Sequence, residues 1–137
     1  MAARPNGEPS LEEVQRAAAF RVALRTFQRG TERVARSAGL TPQWYLLLLL
    51  VKGSEGGAEQ ATVGELAKRM HLAQSTVTEL VNRAERAGLV RRTASAFDGR
   101  VAHIALTKKG EDRFAASFRA LADERRALSQ AVTRLSR

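Results

Sequence analysis

Two short helical patterns in series, followed at once by two strand-like runs, constrain this chain more than any other feature. They occupy "TVGELAKRMHLAQSTVTELVNRAERAGLVRRTASAFDGRVAHIAL", residues 62–106. Thr62 and Glu65 have the spacing of a capping box, in which each side chain satisfies a free amide of the first helical turn. Val63, Leu66, Ala67 and Met70 follow at helical intervals. A short break at His71 and Leu72 separates this pattern from a second, from about Ala73 to Ala87, with Val77, Leu80, Val81 and Ala84 on one face. Gly88 is its stop. "LVRRT" and "VAHIAL" then bracket "ASAFDGR", which reads as two strands and a tip.

The flanking sequence is helical as well. Ser10 and Glu13 form another capping box, opening a long helix to about Ser37 with Gly39 after it. Thr41 and Pro42 are cap and first-turn residues of a helix that runs "QWYLLLLLVK". It is apolar nearly all round and so belongs in a core. "GSEGGAEQ", residues 53–60, is a loop by composition. Thr107 caps a final helix with apolar positions Phe114, Phe118, Leu121, Leu128, Val132 and Leu135, a seam interrupted by Arg125. Residues 1–9 carry two prolines and an Asn-Gly pair and read as a disordered lead-in. The expected fold class is mainly α with a small β-hairpin wing. Residues 10–137 form one domain, in which 41–106 is the winged helix-turn-helix region and the helices at 10–37 and 107–137 serve dimerisation.

The bulk properties exclude several classes. The chain has 137 residues, enough to bury roughly two-thirds of its unfolded surface. Without cysteine there is no disulfide scaffold, thiol sensor or Cys-ligated zinc site. The apolar run Tyr45–Val51 is far short of the roughly 18 residues a membrane span needs. The first ten residues lack the apolar core of a signal peptide. A cytoplasmic protein without membrane partner, cofactor or metal is expected. His71 and His103 are the only histidines, and neither is flanked by a ligand cluster. No nucleophile–base pair or pair of acids suggests an enzyme.

The net charge of +9 and pI near 11.3 favour a polyanionic partner. From Thr62 to Gly110 there are nine Lys and Arg against four acids, a local concentration suited to phosphates. In a winged helix-turn-helix the second helix enters the major groove of DNA. Here its outward face carries Ser75, Glu79, Asn82 and Arg86, flanked by Thr76, Thr78 and Arg83, with Gln74 in the first turn. Gln and Asn can bridge adenine, and Ser and Thr can serve several bases. Gln74, Ser75, Thr76, Thr78, Asn82, Arg83 and Arg86 are therefore candidate contacts to double-stranded DNA, and Arg91 and Arg92 are candidate phosphate contacts. Asp98 is spaced to orient Arg100 at the hairpin tip, where an arginine can enter the narrow, negative minor groove. A winged helix used only for protein interaction needs neither the basic reading face nor the tip arginine.

These motifs resemble one family. "LTPQWYLLLLL" is similar to the second helix of the MarR family of bacterial transcriptional regulators. "TVGELAKRMHLAQSTVTELVNRAERAGLVRR" resembles its helix-turn-helix, and "DGRVAHIALTKKG" its wing with the Leu-Thr-x-x-Gly that follows. The resemblance extends over nearly all of residues 10–137. It implies a homodimer built from the terminal helices, acting on pseudo-palindromic operators as a repressor relieved by a small ligand. Phe20, Phe27, Trp44 and Tyr45 are the candidate ligand contacts, although aromatics at helical spacing equally fit a core. Two positions depart from the family pattern. Ala73 stands where a capping serine is common, and Glu79 where a basic residue is common. The absence of cysteine removes the peroxide-sensing branch.

Overall fold

The computed structural model describes residues 6–94 and 101–135. Six helices and one hairpin follow in order among them: α1 (Leu11–Ser37), α2 (Pro42–Lys52), α3 (Val63–Met70), α4 (Gln74–Arg86), β1 (Val90–Ala94), β2 (Ala102–Leu106), α5 (Lys108–Ala120) and α6 (Ala122–Leu135). The mainly helical class with a β-hairpin is what the sequence predicts. Residues 6–9, the described part of the lead-in, form no helix or strand.

Local chemistry sets most of these boundaries. The Ser10 amide donates to Glu13 at 2.7 Å and the Glu13 amide to Ser10 Oγ at 3.1 Å. The same reciprocal box opens α3 between Thr62 and Glu65. Thr41 Oγ1 accepts from the Trp44 amide at 3.1 Å, with Pro42 in the first turn of α2. Gly39 and Gly88 hold φ of +76° and +78°, the left-handed geometry of a helix stop. The final helical stretch differs from the single helix its periodicity predicts. It divides at Leu121, whose carbonyl accepts from the Arg125 amide at 2.9 Å, so that Asp123 and Glu124 fall in the first turn of α6. Acids there complement the positive end of a new helix.

The chain comprises two compact units. One holds Met1–Val34 and Arg119–Arg137, the other Ala35–Phe118. The second unit has the denser core. Leu47, Leu48, Val51, Leu66, Val77, Val81, Ala84, Leu89 and Ile104 are all fully buried there. β1 and β2 pair antiparallel with Arg92 opposite Ile104 and Thr93 opposite His103. Ile104 also exchanges two backbone hydrogen bonds with Ala61, at 3.0 and 2.7 Å. The loop before α3 is thereby stitched to the hairpin, although by composition it carries no strand signal.

α5 starts against this hairpin through a close backbone approach. Thr107 Oγ1 accepts from the Gly110 amide at 3.1 Å and donates to the Gly88 carbonyl. The Thr107 amide donates to the Leu89 carbonyl at 3.0 Å. A Cβ placed on Gly110 would lie 2.1 Å from that same carbonyl oxygen, so only glycine fits. The Leu-Thr-x-x-Gly sequence thus records a joint between the end of α4, β1 and α5.

In the first unit α6 has no buried residue. Leu11, Val14 and Val22 of α1 stand 65%, 49% and 67% exposed. No helix among the described residues is long and apolar enough to cross a membrane.

Candidate nucleic-acid interface

α4 is amphipathic, and its burial follows its sequence. Val77, Val81 and Ala84 are buried in the second unit, and Leu80 is half-buried. Gln74, Ser75, Thr76, Glu79, Arg83 and Arg86 are exposed, while Thr78 and Asn82 are half-buried. The outward face therefore bears the short hydrogen-bonding side chains that the helical spacing predicts. Ala73, at the N-cap, makes no side-chain capping bond. The first amides of α4 thus lack the acceptor that Ser or Thr would supply.

The turn between α3 and α4 is tight. His71 caps α3 with φ +56° and ψ +43°, and its amide donates to the Lys68 carbonyl at 3.4 Å. A non-glycine residue rarely takes this conformation. The cost is accepted where the chain must reverse quickly to bring α4 across α3.

A groove of about 370 Å³ runs along the outward face of α4, lined by Gln43, Ser75, Thr76, Glu79, Leu80 and Arg83. Gln43, in the first turn of α2, is the residue that sequence reasoning misses. It lies about thirty residues upstream, and only the packing of α2 near α4 reveals it.

Most of the positive charge counted in this region has an internal partner. Glu79 Oε1 lies 2.9 Å from Arg83 Nε and 3.9 Å from Arg86 Nη2. Arg92, on β1, donates through Nη2 to Asn82 Oδ1, and its Nε lies 3.4 Å from Glu85 Oε1. A guanidinium has only donors, so the Asn82 atom facing it must be the oxygen. Arg92 therefore ties β1 to α4. Lys109 Nζ donates to the Ala87 carbonyl at 2.7 Å, capping the C-terminus of α4. Arg69 donates to the Leu50 and Gly53 carbonyls at 3.3 and 3.4 Å and does the same for α2. Lys108 pairs with Asp112 at 2.8 Å, and that bond raises its pKa. Arg91 is exposed on β1 and has no ion-pair partner among the described residues. Asp98 and Arg100 lie outside the described residues.

The four aromatic ligand candidates occupy different settings. In the first unit Phe20 lines an apolar groove of about 420 Å³ with Val22, Ala23 and Leu135. Phe27 lines a smaller one of about 160 Å³ with Leu128. In the second unit Tyr45 is buried and stacks on Phe114 at 6.0 Å, a packing role. Trp44 is half-buried beside it in sequence, in the first turn of α2.

A MarR family model matches residues 38–101, which span α2, α3, α4 and β1. The HTH-type transcriptional regulator YsmB of Bacillus subtilis is 36% identical over 84 residues, 61% of this chain. That match spans 54% of the length of YsmB, about half of the relative. A MarR family protein from Bacillus stearothermophilus is similar in structure, with a TM-score of 0.68 and 28% identity over 87% of this chain and 78% of the other. A mutant MarR of E. coli, solved in complex with operator DNA, has the same fold. Its TM-score is 0.67 at 17% identity, over 87% of this chain and 83% of that one. Motif, family model and winged-helix fold agree: residues 38–101 match the MarR family, and the chain is similar to transcriptional regulators of that family.

Proposed function

We propose that this protein binds double-stranded DNA as a cytoplasmic homodimer and represses transcription from a pseudo-palindromic operator. The observation that carries the reading is the exposed face of α4. Gln74, Ser75 and Thr76 stand exposed at its N-terminal end, and Thr78 and Asn82 lie half-buried behind them. The N-terminal residues of a recognition helix are those that meet base edges. Arg83, Arg86, Arg91 and Arg92 flank them as phosphate contacts. The two arms of the proposal differ in chemistry. Amide and hydroxyl groups carry the sequence preference, and the guanidinium groups carry the salt dependence. Asp98 and Arg100 complete the reading as the tip that enters the adjoining minor groove. The operator complex of E. coli MarR, a protein of the same fold, supports it.

The dimer follows from the first unit. Leu11, Val14 and Val22 are exposed on one long helix, and α6 has no fully buried residue. Apolar area of this kind is covered by association, and a two-fold dimer is the commonest closed form. Two α4 helices in such a dimer meet successive major grooves about 34 Å apart. Relief by a small apolar ligand is proposed with Phe20 and Phe27 as its contacts in the first unit.

Selection of bound duplexes from a random pool tests the reading, followed by titration over a salt series and sedimentation of the complex. The expected result is an inverted repeat, two chains per duplex, and affinity that falls by about a thousandfold or more between 50 and 200 mM salt. No enriched sequence, or binding indifferent to salt, would leave the interaction-module reading in its place.

A further inference from the structure

We infer that Glu79 is a specificity residue, which selects a cytosine in each half-site and suppresses binding to other DNA. The inference rests on the proposed DNA-binding reading and adds a named base to it.

Glu79 projects from the middle of the outward face of α4, opposite the buried Val77. Among the described residues it is the sole acid in the groove formed with Gln43, Ser75, Thr76, Leu80 and Arg83. Its carboxylate side chain is 54% exposed and holds Arg83, itself 66% exposed, at 2.9 Å, with Arg86 at 3.9 Å. An exposed pair one helical turn apart is weak, so phosphates readily draw the arginines away. The carboxylate then remains alone in a groove whose edges are mostly acceptors. Guanine offers O6 and N7 there and thymine O4, all of which repel it, and adenine sets its N6 donor beside the N7 acceptor, whereas the cytosine N4 amino group donates with no acceptor beside it. On most sequences the acid is therefore a cost, either unpaired against acceptors or keeping two arginines from the phosphates. Opposite cytosine it gains a charge-assisted bond and releases them. A repulsive element against wrong partners, joined to an attraction for the right one, is how a difference of affinities becomes specificity. A chain with net charge +9 has particular need of one, because its attraction to any duplex is strong and blind to sequence.

The test uses the full chain, the operator selected with wild-type protein, single base-pair replacements across each half-site, and a random duplex of equal length. Wild type is expected to lose about tenfold on replacing one cytosine-bearing pair per half-site. Glu79→Gln should lose the preference at that pair and keep it elsewhere. On the random duplex it should bind more tightly, with a salt slope steeper by about one phosphate contact. Asp123→Asn removes an equal charge in the first unit and should change neither quantity. The inference is overturned if Glu79→Gln retains every base preference. Equal tightening on operator and random duplex, with no preference lost, also overturns it. Failure of the underlying reading is distinguishable, since wild type alone would then select no sequence, and this inference would fall with it.

Discussion

The two compact units solve the problem of apolar surface in opposite ways. The unit Ala35–Phe118 closes its core within one chain, with ten alanine, valine, leucine and isoleucine side chains at full burial among the described residues. The unit of α1 and α6 does not. α6 has no fully buried residue and α1 leaves three large apolar residues about half exposed or more. A finished core makes a rigid platform on which a polar reading face can be held in register. An unfinished one makes a surface for association. The division teaches that the same amphipathic helical pattern closes a core in one region and leaves apolar surface open in the other, as the proposed reading and pairing roles require, and that the sign of a substitution's effect depends on which region it strikes.

The largest expected effects break the platform. Leu48→Ala leaves a cavity in a fully buried site and should cost about 3 kcal/mol in thermal or denaturant unfolding. Gly110→Ala forces the joint with Leu89 apart and should cost about as much, since a backbone carbonyl cannot yield as a side chain does. In the pairing unit Val22→Glu should behave differently. Its stability as a single chain should shift within about 0.5 kcal/mol, as at other exposed sites. Sedimentation should nonetheless show monomer, and the melting temperature should lose its dependence on concentration.

Two smaller effects sharpen the comparison inside the platform. His71→Gly removes the left-handed penalty of about 1 kcal/mol but adds chain entropy to the unfolded state. Denaturant unfolding should show a net gain of about 0.5 kcal/mol. Lys52 joins the end of α2 to Glu111 of α5 and to Glu59 of the following loop, both at 2.9 Å. Hydrogen bonding to Glu111, then to Glu59, raises its pKa above the usual 10.5. The stabilisation is fully present below pH 10.5 and lost as the pH rises through the raised value. Lys52→Met should therefore destabilise slightly at neutral pH, by about 0.5 kcal/mol for so exposed a pair, and the difference should vanish in alkaline titration.

Features with a short sequence span are legible in the sequence itself. The boxes Ser10/Glu13 and Thr62/Glu65 join residues three apart, and the Gly39 and Gly88 stops are single-residue events. The buried stripe of α4 obeys its own helical period. What is not legible depends on contacts between distant segments. The bridge from Ala61 to Ile104 joins a loop to a strand more than forty residues on. The closeness of Gly110 to Leu89 appears in the sequence only as a glycine. Arg92 reads in the sequence as a phosphate contact, and its bond to Asn82 depends on the register of β1 beside α4. Gln43 enters the candidate site for the same reason. A charge count sees nine cations, but it cannot tell that Arg69 and Lys109 cap helices while Arg83 and Arg86 share one acid.

Hydrogen exchange of the full chain with and without its selected operator duplex is the most direct test of the division between reading and pairing. The predicted result is slowed exchange over Gln74–Arg86 and Val90–Ala94 on adding DNA, with exchange in α6 unchanged. Protection confined to α1 and α6, or none over α4, would contradict it.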